Sequence, residues 1–227
     1  MTGSSLPTKR LVLKYFFILS SLVFLSEFSY GDGMLIRLPA PKEKGTVSLE
    51  EAVKKRRSER NLSDKELTIS EIGQLLWASQ GITDGDRGFR SSPSAGATYP
   101  LEIYIVKKDG LFHYIPRSHS LETLDDKDLR SELSLACYGQ GFIKSAAIDI
   151  VICAEFDRTM NYYGDRGEHY VYIEVGHAAQ NIHLQATAEG LGSVPVGAFS
   201  DDKVKEVLNL PRNLAPIYII PVGYIKE

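Results

Sequence analysis

Residues 168–189 contain no proline, and their apolar members fall at helical spacing. Val171, Val175, Ala178, Ala179, Ile182 and Ala186 share one stripe, and Gly190 follows as a C-terminal cap. The sequence therefore predicts a long one-sided helix over Glu168–Glu189. Such a helix must be laid against another apolar surface, and the chain supplies one on each side of it. "AAIDIVICAEF" reads as a buried strand and "APIYIIPVGYI" as a closing strand.

The other elements are read the same way. Residues 32–47, with Pro39, Pro41 and Gly45 among short charged pieces, read as an extended arm. Ser48 with Glu51, and Thr68 with Glu71, form capping boxes that open two helices. In the second, Ile69, Ile72, Leu75, Leu76 and Ser79 mark one face and Gly81 the stop. "LEIYIVKK" and "LFHYIP" make a hairpin turning at Asp109-Gly110. "LETLDDKDLRSELSLACYG" reads as one helix or two short ones, "SVPVGAF" as a short strand or turn, and "DDKVKEVLNL" as a surface helix. Helices and strands in this order predict an α+β domain over residues 48–227.

With 227 residues, 43% of them hydrophobic and 24% charged, the chain can bury one sizeable core. A formal net charge of -3 leaves no basic footprint, so no nucleic-acid partner is expected. Of two cysteines, Cys153 lies in an apolar run, and Cys137 has no metal-type spacing around it. Residues 1–31 differ from the rest. Lys9, Arg10 and Lys14 precede an uncharged apolar stretch from Tyr15 to Leu25, and Ser29-Tyr30-Gly31 offers small residues at the positions an export peptidase reads. They read as a signal peptide, with an uncleaved anchor or a buried helix as alternatives. Thr8 to Lys14 resembles the twin-arginine export consensus, except that Lys9 stands where its first arginine would be.

Three stretches carry candidate chemistry. Arg56, Arg57, Ser58 and Arg60 put three guanidiniums and a hydroxyl in one turn at a helix C-terminus. That is either a solvated charged turn or a bidentate grip on a phosphate. Pro93, Ser94, Ala95 and Gly96 form a loop of small residues, which is either a tight turn or a surface along which a ligand can approach the backbone. Val196 and Gly197 sit at what should be a strand end, with backbone donors exposed. Glu174 and His177 make a lone Glu-x-x-His pair, which reads as helix surface or satisfied core, because a di-iron site needs a second pair.

In order, "RRSER", "SSPSAGATYPLE", Gln140 ahead of "SAAIDIVI", "YIEVGHAAQNIHLQATAEGLGSVPVGAF" and "YIIPVG" resemble the nitroreductase-like flavoprotein superfamily over residues 48–225. They look most like its SagB/ThcOx branch, named for dehydrogenases that oxidise thiazoline and oxazoline rings. The resemblance implies a mixed or antiparallel central sheet flanked by helices, and a homodimer with FMN at its interface. Arg56, Arg57, Ser58 and Arg60 would hold the phosphate, ribityl chain and pyrimidine edge. Pro93, Ser94, Ala95 and Gly96 would pack on the flavin from the partner subunit. Gln140 would contact the ribityl or ring, and Val196 and Gly197 would direct amides at N5. The activity implied is hydride transfer between a donor and a nitro, quinone or heterocyclic substrate; a flavin-binding accessory subunit without turnover is the alternative. Two departures stand out. Gly96-Ala97 replaces the asparagine that follows this loop in the parent nitroreductases, and the chain ends at Lys226-Glu227 without their basic tail.

Overall fold

A computed structural model describes residues 34–226. The signal-peptide expectation for residues 1–31 lies outside the described residues. The strands are β1 (Leu35–Arg37), β2 (Ile82–Asp84), β3 (Phe89–Arg90), β4 (Leu101–Lys107), β5 (Gly110–Ile115), β6 (Ser120–Asp125), β7 (Ile148–Ala154), β8 (Gly192–Ser193) and β9 (Ala215–Gly223). The helices are α1 (Leu49–Lys55), α2 (Ile69–Gln80), α3 (Arg130–Ala136), α4 (Gly141–Ser145), α5 (Asp157–Tyr163), α6 (Arg166–Ala188) and α7 (Asp201–Val207). Seven strands form one sheet in the order β1-β6-β5-β4-β7-β9-β8, every neighbouring pair antiparallel. β2 and β3 pair separately.

The strand period of two sorts side chains onto two buried faces. Ile103 and Ile105 of β4, with Ile148, Ile150 and Ile152 of β7, face α2 and α6. Tyr104, Val106, Val151 and Cys153 face the opposite way, toward α3, α4 and α7. Covered on both sides, β7 is buried at all seven positions, so its sequence reads as an unbroken apolar run rather than an alternating one. The stripe on α6 is buried as its spacing requires. That helix ends where expected: Gly190 adopts φ 74°, and the Leu191 amide donates to the Ala186 carbonyl at 2.8 Å.

Several local expectations are corrected. Ser120–Asp125 is strand, not helix: Leu121 and Leu124 are three apart, as on a helix, but Leu121 alone is buried, filling the sheet between β1 and β5. The extended arm contains β1, and Leu38 beyond it is buried, its amide bonded to His119 O at 3.0 Å. Ile69, in the first turn of α2, is 40% exposed and does not join the buried face of that helix. The hairpin loop is Lys108-Asp109, with Gly110 already opposite Lys107 in the ladder. Ser48 caps α1 through the Glu51 amide at 3.1 Å, whereas the reciprocal box is complete only at Thr68 and Glu71 of α2. Among the described residues no helix is long and apolar enough to cross a membrane.

Candidate active site

The arginine turn is built by a close approach of two backbones. After α1, residues 58–62 lie along β8 and the end of β9. Ser58 bridges Ser193, the Glu59 amide donates to Ser193 O at 3.0 Å, and Leu62 bridges Ile225. Gly192 makes this possible, because a Cβ there would sit 2.8 Å from Leu62 and 2.9 Å from both Glu59 and Ile225. Arg57 folds back onto the Lys54 and Arg56 carbonyls at 3.0 and 2.7 Å, and the Arg60 guanidinium lies 5.8 Å from the centre of the Phe142 ring. Among the described residues, neither Arg56, Arg57 nor Arg60 has a carboxylate partner. A turn of three uncompensated cations is an anion site in waiting.

His183 lies beneath this turn. Its Nδ1 is 2.8 Å from Ser193 Oγ, while its Nε2 is buried with no partner. Burial first, and then the Arg56 charge, push its pKa down to about 4, so the ring is neutral and adds no further charge.

Gln140, Val196 and Gly197 come together beside Arg60. Gln140 donates both amide hydrogens, to Cys137 O and Ala198 O at 2.9 Å each, which leaves its Oε1 as an acceptor. Here the expectation needs correcting: the Val196 amide is already committed to Ile219 O at 2.8 Å. The exposed amides with no acceptor among the described residues are those of Gly197 and its neighbour Ala198. Val196 anchors the donors; it is not one of them.

The Pro93–Gly96 loop is held by its own chain. Gly96, Ala97 and Tyr99 adopt φ values of 59°, 53° and 47°. This left-handed backbone is pinned by the Tyr99 amide to Ser94 Oγ at 2.9 Å and the Arg158 guanidinium to Tyr99 O at 3.0 Å. Gly96 holds φ 59°, which disfavours a side chain, and a Cβ there would also lie 2.9 Å from the Tyr163 hydroxyl, so the small residue suits the protomer's own backbone before any ligand is considered. Behind the loop lies Glu174 of α6, 3% exposed, where burial first, opposed by Ser94 and the Arg90 charge, pushes its carboxyl up to about 7. The sequence placed it on a surface or in a satisfied core; instead it is buried with Oε1 unpartnered. His177 is exposed, as a helix-surface residue should be.

One protomer therefore assembles two groups rather than one. The arginine turn lies by His183, with Arg60 reaching Phe142 beside Gln140 and the Gly197–Ala198 amides, while the loop packs near Glu174, nine residues earlier on α6 or about 13 Å along its axis. Among the described residues no cluster of His, Cys, Asp or Glu is placed to hold a metal ion.

Residues 53–224 match the model of the nitroreductase family. A protein of Methanocaldococcus jannaschii bearing a nitroreductase name is 45% identical over 199 residues, covering 85% of this chain and 98% of its own. An FMN reductase (NADPH) of Bacillus subtilis is 24% identical over 188 residues, covering 77% of this chain and 64% of its own. A crystal structure from Ralstonia eutropha, also named for the nitroreductases, superposes with a TM-score of 0.78 at 28% identity, over 85% of this chain and 90% of that one. The chain belongs to the nitroreductase family of oxidoreductases.

Proposed function

We propose that the protein is an FMN-dependent oxidoreductase, working as a homodimer with FMN at the interface. One observation carries this reading: three arginines without a carboxylate partner share one turn, and Arg60 of that turn lies over Phe142, two residues from the Gln140 that bonds Ala198 O beside the unengaged amides of Gly197 and Ala198. A ligand with a phosphate at one end and a planar, acceptor-rich ring at the other satisfies both. The FMN reductase relative supports the same choice.

Arg56, Arg57 and Arg60 would hold the phosphate by charge-assisted hydrogen bonds, with Ser58 beside it. Gln140 Oε1 would accept from a ribityl hydroxyl. Gly197 and Ala198 would donate to the ring edge and favour its electron-rich form. Pro93, Ser94, Ala95 and Gly96 would cover the ring from the partner subunit. FMN supplies two-electron hydride chemistry at its N5 when bound; the protein supplies position and electrostatics. The substrate class is nitro, quinone or heterocyclic. Gly96-Ala97 in place of an asparagine favours the SagB-type branch and its ring-oxidising chemistry.

Export of the folded, flavin-loaded protein is part of the proposal and rests on the pattern of residues 1–31. A periplasmic location would deprive it of NAD(P)H, so the donor would be a quinol, a redox protein or a substrate that is itself oxidised. The test is the visible spectrum of the purified protein before and after anaerobic NADPH, followed by a nitro or quinone acceptor. A flavin spectrum that bleaches and returns establishes turnover with NADPH. A flavin that no donor reduces leaves the accessory-subunit reading, and a colourless protein that takes up no FMN overturns the proposal.

A further inference from the structure

His183 of α6 is 4% exposed, and its Nε2 is buried without a hydrogen-bond partner. A buried polar atom left unpaired costs stability, so the ring calls for a reason that packing does not supply. An apolar side chain of similar size would fill the same space without that cost. The reason lies at the other nitrogen. His183 Nδ1 is 2.8 Å from Ser193 Oγ, and the serine hydroxyl can donate to it or accept from it.

Ser193 sits where such a bond has leverage. β8 has only two residues, lies at the end of the sheet, and pairs with β9 alone among the strands. So short an edge strand is weakly held by its own ladder. Yet it carries the arginine turn: Ser58 bridges Ser193, and the Glu59 amide donates to Ser193 O at 3.0 Å. These contacts fall between Arg57 and Arg60, with Arg56 immediately before them. His183, by contrast, belongs to a 23-residue helix whose apolar stripe is buried in the core. The bond from His183 to Ser193 therefore ties the edge strand to the most firmly held element of the fold.

We propose that His183 is a positioning residue for the phosphate end of the site. Through Ser193 it fixes the backbone on which Ser58 and Glu59 rest, and with it the placing of Arg56, Arg57 and Arg60. No proton moves in this role. Burial, and then the Arg56 charge, keep the ring neutral, so it supports three guanidiniums without setting a fourth cation beneath them.

This inference rests on the reading of the arginine turn as a phosphate site, and its test separates the two. Riboflavin is FMN without its phosphate, so the ratio of the two affinities reads the turn apart from the rest of the site. Wild type should bind FMN at least about tenfold more tightly than riboflavin. Fluorescence titrations with each flavin are made on wild type, Ser193→Ala, His183→Leu, His183→Asn and the double variant Ser193→Ala/His183→Leu. Ser193→Ala and His183→Leu should each lose about threefold to tenfold in FMN affinity, the worth of one hydrogen bond, with riboflavin affinity unchanged. The double variant should lose no more than either single one, because both remove the same bond. Asn places an amide atom where Nδ1 stood, so His183→Asn should keep the wild-type ratio. Denaturation midpoints are measured on the same set, and the ratio should follow the bond and not the midpoint. An unchanged ratio in Ser193→Ala and His183→Leu overturns the inference, as does a ratio lost in His183→Asn as fully as in His183→Leu. An equal fall in both flavins, or a ratio that falls in step with the midpoint, marks general loosening and overturns it too. If His183→Leu does not fold, Ser193→Ala decides. A wild type that binds FMN no better than riboflavin overturns the reading of the arginine turn itself.

Discussion

Asp149 on β7 is fully buried, and neither of its carboxylate oxygens has a partner. Burial drives its carboxyl well above the ordinary range, against the pull of Arg130, so folding favours its protonated form. A carboxyl whose pKa is raised by folding contributes stability that is complete below its unfolded value, about 3.9, and is lost as pH climbs through the folded value. Asp149→Asn removes the titration while keeping the shape. At pH 8 it should unfold at higher denaturant than wild type, with the gap closing by pH 4; parallel profiles would contradict this. Arg56→Ala, by contrast, should leave stability nearly unchanged and weaken FMN binding by about tenfold to a hundredfold, the range for a charge-assisted contact. A titration of FMN fluorescence reads it. The difference between these residues explains what was legible at this scale. The arginines, the small loop and Gly197 announce themselves by residue type. Glu174 does not, since its burial depends on α2 and the loop closing over α6, and a Glu-x-x-His pair on a helix carries no mark of that. The Val196 amide was misassigned for a similar reason: its bond to Ile219 belongs to the sheet edge, not to the local sequence.

Elements were legible where their ends carry signals. At the start of α2, Thr68 Oγ1 accepts the Glu71 amide at 3.2 Å, and Glu71 accepts the Thr68 amide at 2.7 Å. Glu71 also accepts the Tyr224 hydroxyl at 2.9 Å, tying this helix to the segment after β9. Burial acts to raise the Glu71 carboxyl, but Thr68 and Tyr224 overcome it and hold it below the usual range. Its stabilisation is therefore present above the unfolded value and lost as pH falls through the folded one. Thr68→Ala should cost about 1 kcal/mol at pH 7, read by urea denaturation, and less in acid, where Glu71 is protonated. An equal loss at pH 7 and pH 3 would show that the cap acts without Glu71. α5 went unmarked because Phe156 precedes it and no side chain caps it, so it has no start signal. β6 was misread because its neighbours in the sheet, not its own spacing, make it a strand.

For the whole molecule, individual strands and helices followed from periodicity and the helix-flanked sheet from the family resemblance, but how the two halves of the site meet is not written in periodicity. The protomer leaves apolar side chains facing outward on the two helices that flank the arginine turn. Tyr172 and Ile173 of α6 are 49% and 45% exposed, and Leu49 and Val53 of α1 are 65% and 54% exposed. Exposed apolar side chains on both helices are what a second copy of the chain would cover. A second copy placed there would let the loop of one protomer serve the arginine turn of the other, which a single chain keeps about 13 Å apart along α6. The expected outcome is a dimer by size-exclusion with light scattering. Ile173→Glu, which buries a charge in that contact, should give a folded monomer with FMN affinity reduced at least tenfold. The far-ultraviolet spectrum and the denaturation midpoint establish that the variant is folded. Affinity and assembly should fall together, because each site then lacks the partner's loop while its own arginines remain. A monomer that holds FMN as tightly as the wild type would mean that one chain completes its own site, and the loop would have to be given another task.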